Sequence, residues 1–112
     1  LESAYEVFRG RRMFAALADM RELGESSPLY HMKVGEFVAD RKFAGLMLYG
    51  GMSKYCADGA LRAGMLPADI MVFESKEELS AALRGLLREG DVVLVKGSRS
   101  MKMEDVVNSL IK

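Results

Sequence analysis

Four short apolar runs alternate with helical patterns along the chain, and this alternation restricts the fold more than any other feature. We interpret the runs as strands, at Met13–Ala18, Ala44–Tyr49, Asp69–Phe73 and Val92–Val95. Apolar residues at helical spacing follow each run. Strands and helices that alternate in this way form a mainly parallel sheet with helices on both faces. We therefore predict a three-layer α/β domain, whose strand order the pattern does not give.

The length and composition of the chain indicate a single domain over residues 1–112. Half of the 112 residues are hydrophobic, which is enough for one buried core. The 16 basic and 16 acidic residues cancel, so a broad electrostatic attraction to nucleic acid or anionic lipid is not expected. No apolar run approaches the roughly 18–20 residues that span a membrane. We expect no binding to nucleic acid and no insertion into a membrane.

The single cysteine, Cys56, lies on a predicted helix. Ser53 could cap the start of this helix, and Gly64 could end it. A lone cysteine forms no internal disulfide, so a reducing cytoplasm is the expected location. Alanines surround Cys56 on an apolar helix face, which indicates a core position.

The first residues are predicted to form a short helix over 2–9 that Gly10 ends. The chain begins inside this helical pattern with no capping residue before it. We therefore expect the chain to be a piece of a longer protein.

The candidate site follows from the predicted parallel sheet. All strands of such a sheet end at the same edge, where open α/β folds bind ligands. Residues that are far apart in sequence are therefore predicted to lie close together, and these are Asp19, Gly50-Gly51, Glu74 and Lys96-Gly97-Ser98-Arg99.

The turn from Lys96 to Arg99 is the strongest candidate within that edge. Gly97 and a potentially capping Ser98 make a strand-to-helix turn with free N–H groups. Arg99 and Lys102 are predicted in or beside the first helical turn, where the helix dipole disfavours cations. This placement favours an anion, and a guanidinium can hold a carboxylate with two hydrogen bonds. The alternative is a tight turn with exposed basic residues.

Two further residues at this edge have a functional and a structural interpretation. Asp19 could bind a ribose, an amine or a metal, or it could be a turn or cap residue. His31, the single histidine, is predicted in the first turn of the helix after the first strand and faces the same edge. It is either functional or a structural side chain.

Several motifs are missing from the sequence. It contains no Gly-x-x-x-x-Gly-Lys-Ser/Thr phosphate loop, no Gly-x-Gly-x-x-Gly after a strand and no nucleophile with a neighbouring base. The chain therefore resembles one wall of an active site, and we assign it no catalytic residue and no metal ligand.

Three stretches resemble the C-terminal domain of the Mur ligase family. Phe14-Ala-Ala-Leu-Ala-Asp-Met-Arg-Glu-Leu-Gly24 is similar to that family's Val-Leu-Gly-Asp-Met-x-Glu-Leu-Gly. His31-Met-Lys-Val-Gly35 is similar to its His-x-x-Val-Gly. Val93-Leu-Val-Lys-Gly-Ser-Arg-Ser-Met-Lys-Met-Glu-Asp-Val-Val107 resembles its Val-Leu-Val-Lys-Gly-Ser-Arg-x-Met-x-Met-Glu. Ala18 departs from the glycine that usually precedes Asp-Met, which would alter how closely a ligand approaches that backbone.

The resemblance implies a Rossmann-like C-terminal domain of an ATP-dependent amide-bond ligase. The branch of the family that is most similar adds D-alanyl-D-alanine to UDP-N-acetylmuramoyl-tripeptide, a step of peptidoglycan precursor synthesis. ATP with Mg²⁺ activates the tripeptide carboxylate as an acyl phosphate, and the dipeptide amine attacks it. An N-terminal domain for the UDP-sugar and a central ATPase domain, which binds most of the ATP and Mg²⁺, would precede Leu1. The chain alone would then be inactive.

The resemblance also implies roles for the candidate residues. Arg99, Ser98 and Gly97 would hold the dipeptide carboxylate or an adjacent anion. Lys96, Asp19 and His31 would line the same cleft. We expect the protein to be a monomer. On the residues alone two other functions stay open, a stand-alone α/β module that binds a small anion and an assembly domain with no ligand.

Overall fold

The computed structural model describes residues 10–20 and 27–111. Its strands are β1 (Met13–Ala18), β2 (Gly45–Tyr49), β3 (Ile70–Phe73) and β4 (Val92–Lys96). All neighbouring strands are parallel, in the order β3-β2-β1-β4. Each strand begins and ends within one residue of its predicted bounds. The predicted parallel sheet is therefore confirmed, and the structure adds the strand order.

Four helices connect or follow these strands. They are α1 (Ser27–Asp40), α2 (Ser53–Arg62), α3 (Lys76–Leu86) and α4 (Glu104–Ile111), with 3₁₀ turns at Pro67–Asp69 and Arg99–Met101. The helix predicted over residues 2–9 and most of the loop after β1 lie outside the described residues. Within the described part of the chain, no helix is both long and apolar enough to cross a membrane.

The helices cover both faces of the sheet and enclose two cores, which confirms the three-layer architecture. The first core joins β1 and β2 to α1 and α2, through residues such as Ala15, Leu17, Leu48, Val38 and Cys56. The second joins the opposite face to α3 and α4, through residues such as Phe14, Ala16, Met47, Leu83 and Val106. Because successive side chains of a strand point to opposite faces, β1 is buried on both sides.

The strand order fixes where the sheet opens at its carboxyl edge. The chain runs outward from β1 to β2 and β3, then crosses back to place β4 on the other side of β1. All crossovers in such a sheet have the same handedness, so a crossover that runs the other way along the sheet places its helix on the other face. Helices α1 and α2 do lie on the face opposite α3 and α4. The loops after β1 and β4 therefore leave towards different faces, which makes a crevice between these two strand ends.

Helices α1 and α2 are in backbone contact with each other. A Cβ atom built at Gly35 of α1 would overlap the carbonyl oxygen of Cys56, and one built at Gly59 of α2 would overlap that of Met32. Neither site has room for a side chain, so the two glycines set the distance between the helices.

The Ser75-Lys-Glu-Glu78 pattern predicts a capped helix start at Ser75, and Gly90 is predicted to end that helix. The structure confirms the start of α3 and not its end. The Ser75 hydroxyl accepts a hydrogen bond from the backbone N–H of Glu78 at 3.1 Å, as the Ser-x-x-Glu pattern indicates. The helix ends at Leu86, because Leu87 is already extended. Gly90, predicted as the end of the helix, instead takes a positive φ of 89° in the turn before β4.

The prediction for the last helix is wrong in a way that matters for the site. Helix α4 begins at Glu104, with Glu104 and Asp105 in its first turn. Arg99 belongs to the preceding 3₁₀ turn, and Lys102 follows that turn in the left-handed conformation with φ 49°. The acids at the start of α4 therefore complement its dipole, and the argument from inverted helix charges does not hold.

Candidate functional site

The loop after β4 lies directly against the loop after β1. The backbone N–H of Ser98 donates to the carbonyl oxygen of Asp19 at 2.9 Å. A Cβ built at Gly97 would lie 3.0 Å from both the Ala18 Cβ and the Met103 Cγ. The methyl group of Ala18 thus packs under the glycine of the β4 loop, and residue 97 has little room to be larger.

The basic residues of the β4 loop face solvent. Lys96 and Arg99 are exposed, whereas Ser98 between them is 4% exposed. The residues Lys96–Arg99 line an open groove, which Val95 and the start of α4 complete. Two cations within four residues, against the one carboxylate of Glu104 in the lining, make this groove suitable for an anion even without the helix dipole.

Asp19 acts as the cap of α2. Its Oδ1 accepts from the N–H of Met52 at 2.8 Å and its Oδ2 from the N–H of Gly51 at 3.0 Å. Gly50 has φ 116°, and a Cβ there would lie 2.5 Å from the Asp19 Oδ1. Of the two interpretations of Asp19, a cap residue is the one found, although the helix that it caps follows β2.

The cap predicted at Ser53 is therefore wrong. Met52 is the N-cap of α2, and no side chain of the cap residue bonds the helix N–H groups. The Asp19 carboxylate binds the N–H groups of Gly51 and Met52 from the neighbouring strand end. A negative charge at the start of a helix is also favoured by the dipole.

His31 joins the start of α1 to the end of β1. Its Nδ1 lies 2.6 Å from the Ser27 carbonyl oxygen, so Nδ1 carries the proton and donates it. Its Nε2 accepts from the backbone N–H of Met20 at 3.1 Å. Both ring nitrogens are therefore bonded to backbone, and the side chain is 6% exposed. These contacts support the structural interpretation of His31.

A small cavity of about 20 Å³ opens between the carboxyl ends of β1 and β2 and the first turns of α1 and α2. Its apolar wall is formed by Leu17, Ala18, Val34, Leu48 and Cys56. Asp19, His31, Ser53 and Lys96 supply the polar part of its lining, beside Met20 and two tyrosines. A cavity of this size holds a single water-sized group.

Ser53 is the one buried side chain among the described residues whose polar atom has no hydrogen-bond partner. The residue is 6% exposed and lines the cavity. Buried hydroxyl groups nearly always find a partner. An unpaired hydroxyl at the wall of a cavity therefore indicates a position where a ligand atom completes the bond.

Cys56 at the cavity wall is buried, as predicted. It is 2% exposed, and burial raises the pKa of its thiol to about 12. A thiol that stays protonated is neither a nucleophile nor a metal ligand at neutral pH. Its contribution to the site is an apolar surface.

The six predicted site residues are divided between two adjoining depressions. Asp19, His31 and Lys96 line the cavity, whereas Gly97, Ser98 and Arg99 line the groove together with Lys96. Lys96 is thus common to both. Ser53 was not predicted as a site residue. The Gly50-Gly51 pair before it is a signal that could have indicated a helix capped by an acid distant in sequence. In such a helix the local serine is not needed as a cap.

The described residues offer no metal site. Nowhere in the part of the chain that the structure describes do three His, Cys, Asp or Glu side chains come together as metal ligands. Both Asp19 oxygens accept backbone hydrogen bonds, which hold this carboxylate against the start of α2.

Comparison with known sequences gives a family and several relatives. A sequence family described as "Mur ligase, glutamate ligase domain" matches residues 1–99. UDP-N-acetylmuramoyl-tripeptide–D-alanyl-D-alanine ligase of Bacillus subtilis is 31% identical over 103 residues, covering 92% of this chain and 22% of the relative. The enzyme of the same name from Synechocystis is 33% identical over 102 residues, covering 91% and 22%. The chain thus spans less than a quarter of these curated relatives.

Solved structures share the fold. MurF from Acinetobacter baumannii superimposes with a TM-score of 0.78 at 23% identity, covering 98% of this chain and 25% of that one. MurF ligase from Thermotoga maritima in complex with ADP gives a TM-score of 0.76 at 23% identity, covering 97% and 24%. The strand order, the two helical layers and the crevice between β1 and β4 therefore belong to a known fold.

Proposed function

The chain belongs to the Mur ligase family, and on that basis we propose that it is the C-terminal domain of a ligase that adds D-alanyl-D-alanine to UDP-N-acetylmuramoyl-tripeptide. In this proposal the domain binds the incoming dipeptide and brings it to an activated carboxylate on the rest of the enzyme. The product is a precursor of peptidoglycan, so the protein contributes to cell wall biogenesis. The chain acts in the cytoplasm, as a monomer, and is inactive alone.

The Lys96–Arg99 groove is the proposed site of the dipeptide carboxylate. Arg99 is exposed and its guanidinium can form two parallel hydrogen bonds to a carboxylate. Lys96 adds a second positive charge at the junction of the groove and the cavity. The hydrogen bond from the Ser98 N–H to the Asp19 oxygen supports a fixed position for this loop.

Asp19 and His31 have a different proposed part in the same site. Their side chains bond to backbone groups at the starts of α1 and α2 and at the end of β1, and His31 Nδ1 also lies within hydrogen-bond distance of the Ser27 hydroxyl. We therefore assign them the positioning of the loops that surround the dipeptide. Binding of the ligand itself is left to Lys96, Ser98 and Arg99, with Gly97 allowing the loop to pass close to Ala18.

ATP and Mg²⁺ are proposed to bind mainly outside this chain. The described residues do not form a metal site, and the sequence has no phosphate loop. The T. maritima structure contains ADP in a chain of which this one covers 24%. We therefore assign the activation of a carboxylate by ATP to other domains of the longer enzyme. This domain presents the dipeptide that attacks the activated carboxylate.

The observation that carries the proposal is the position of the Lys96–Arg99 loop. It lies at the crevice between β1 and β4, where a sheet of this strand order is expected to bind its ligand. The curated relatives named above are UDP-N-acetylmuramoyl-tripeptide–D-alanyl-D-alanine ligases and align with more than nine-tenths of the chain.

A domain exchange tests the proposal. The C-terminal domain of the B. subtilis relative is replaced by this chain, and phosphate release is measured with ATP, the UDP-linked tripeptide and D-alanyl-D-alanine. We expect release that depends on the dipeptide, and none from the 112-residue chain alone. In the exchanged enzyme, Arg99→Ala should raise the KM for the dipeptide about tenfold to a hundredfold, because a charged hydrogen bond is lost.

A second measurement tests the proposal if the exchanged enzyme does not assemble. Dipeptide binding to the 112-residue chain is followed by amide NMR shifts. Shifts at Lys96–Arg99 that Arg99→Ala abolishes support the proposal. Turnover by the chain alone, or nucleotide binding at these residues without any dipeptide binding, contradicts it and favours a stand-alone module for a small anion.

A further inference from the structure

We infer that the cavity beside Ser53 is a specificity pocket for the methyl side chain of the C-terminal residue of the dipeptide. This inference rests on the proposed function and adds the part of the site that selects alanine. Two features of the cavity carry it, its size with an apolar wall and its unpaired hydroxyl.

The size of the cavity fits one methyl group. Its volume of about 20 Å³ is enough for one water-sized group. Its wall is made of aliphatic side chains, chiefly Leu17, Val34 and Leu48, with the protonated thiol of Cys56. The aliphatic part of the wall favours an apolar group at that side of the cavity, and a side chain longer than a methyl group has no room there.

The hydroxyl of Ser53 supplies the direction of binding. It is the buried polar atom without a partner among the described residues, and it stands at the first turn of α2. The carboxylate of Asp19 and the ring of His31, on the same lining, are already bonded to backbone. Ser53 is therefore free to bond the amide of a peptide whose methyl group enters the cavity.

Lys96 identifies which alanine enters. Its side chain lines both the cavity and the groove that holds the proposed carboxylate site. Only in the C-terminal residue are the methyl group and the carboxylate attached to the same carbon atom. A C-terminal D-alanine can thus place its carboxylate at Lys96 and Arg99 while its methyl group points to Val34 and Leu48.

Methyl NMR on the 112-residue chain tests the pocket directly. We expect nuclear Overhauser effects from the C-terminal methyl group of D-alanyl-D-alanine to the methyl groups of Val34 and Leu48. D-alanylglycine, which lacks that methyl group, and D-alanyl-D-valine, which is too large, should each bind about tenfold more weakly. Ser53→Ala should weaken binding of D-alanyl-D-alanine by a factor of about ten, because one hydrogen bond is lost.

Enlarging the cavity tests its selectivity. Val34→Ala removes two methyl groups from the wall, and we expect the preference for D-alanyl-D-alanine over D-alanyl-D-valine to fall about tenfold or more. Val93→Ala is the matched control, since the same change in the core on the opposite face of the sheet lies outside the cavity lining and should leave the preference unchanged. Thermal melting confirms that each variant is folded.

The outcomes separate this inference from the function on which it rests. Shifts at Lys96–Arg99 without contacts to Val34 and Leu48 would overturn the pocket and keep the proposed function. An unchanged preference in Val34→Ala or an unchanged affinity in Ser53→Ala would also overturn the pocket. If D-alanyl-D-alanine caused no shift at any residue up to its solubility limit, both would fail.

Discussion

The two helical layers of this domain are held together by different means. Helices α1 and α2 meet backbone to backbone at Gly35 and Gly59, with no space for a side chain between them. Helices α3 and α4 share the apolar side chains of the second core and are also joined by polar side chains. Lys76 pairs with Asp105 at 2.7 Å, and Arg84 is hydrogen-bonded to Ser109.

This difference corresponds to a difference in what each layer carries. The cavity lies against α1 and α2, and its lining residues Val34, Ser53 and Cys56 belong to those helices. The groove lies along α4 instead. A pocket that selects a methyl group needs walls that do not adjust, because interiors resist changes of even one methylene. A charged groove tolerates more movement, since electrostatic attraction falls off gradually with distance.

The largest predicted effect is on the contact between α1 and α2. Gly35→Ala forces a Cβ into the Cys56 carbonyl, so the helices must separate and the core beneath them loosens. We expect the free energy of unfolding to fall by about 3 kcal/mol or more, at the upper end of overpacking effects. Urea denaturation followed by circular dichroism measures it.

Gly85→Ala in α3 is the control for that prediction. A Cβ at Gly85 meets no atom within 4 Å, and alanine is the better helix former. We expect a gain of about 0.5–1 kcal/mol. If the two glycine variants had similar effects, the proposed contrast between the layers would be lost.

The next effect concerns the link between β1 and α2. Asp19→Ala leaves the N–H groups of Gly51 and Met52 without their acceptor, and we expect a loss of about 1–3 kcal/mol. Asp19→Asn retains one acceptor oxygen and should lose less. Equal stability of wild type and Asp19→Ala in a thermal melt would show that α2 needs no cap from the neighbouring strand.

The sequence predicted the layers of the fold because each layer has a local signature. Apolar runs such as Met13–Ala18 mark strands, and spacing marks the buried faces of the helices. The predicted start of α4 was wrong because the helical spacing of apolar residues that includes Val106 extends back to Met103 without interruption. The helical conformation is interrupted at Lys102, which is left-handed. A lysine gives no sequence signal for that conformation.

The candidate site was predictable in position and not in its contacts. The meeting of the β1 and β4 loops follows from parallel strands, and the Ser98–Asp19 hydrogen bond confirms it. The partners of Asp19 lie 32 and 33 residues away, and Met20 lies 11 residues from His31. Periodicity says nothing about such pairs. For the same reason Ser53 looked like a cap, although Asp19 fills that role.

A third prediction concerns a polar contact that is more buried than those between α3 and α4. Arg12 before β1 binds Asp91 before β4, with the Asp91 side chain 8% exposed and Nη2–Oδ2 at 2.6 Å. The hydrogen bond from Arg12 and that from the Arg88 N–H lower the pKa of Asp91. A carboxyl group with a lowered pKa stabilises the fold at pH values above its usual pKa. This contribution disappears as the pH falls through the lowered pKa.

Melting temperatures of wild type and Asp91→Asn from pH 7 downward measure that contribution. We expect the variant to melt lower at pH 7 and the two curves to converge in acid. Asp58→Asn, which affects an exposed pair with Arg62, is the control and should melt close to wild type. A constant difference between wild type and Asp91→Asn at all pH values would assign the effect to shape and not to charge.

The smallest predicted effect is on the contact between α3 and α4 itself. The Asp105 side chain is 55% exposed in its pair with Lys76, so solvent screens most of the attraction. A double-mutant cycle of Lys76→Ala and Asp105→Ala should give a coupling below about 1 kcal/mol, decreasing further at high salt. Lys76 also donates to the Lys102 carbonyl oxygen at 3.3 Å, so Lys76→Ala alone should cost slightly more than Asp105→Ala. A coupling above about 2 kcal/mol would mean that the layer beside the groove is held as firmly as the layer beside the cavity, since exposed pairs do not reach that value.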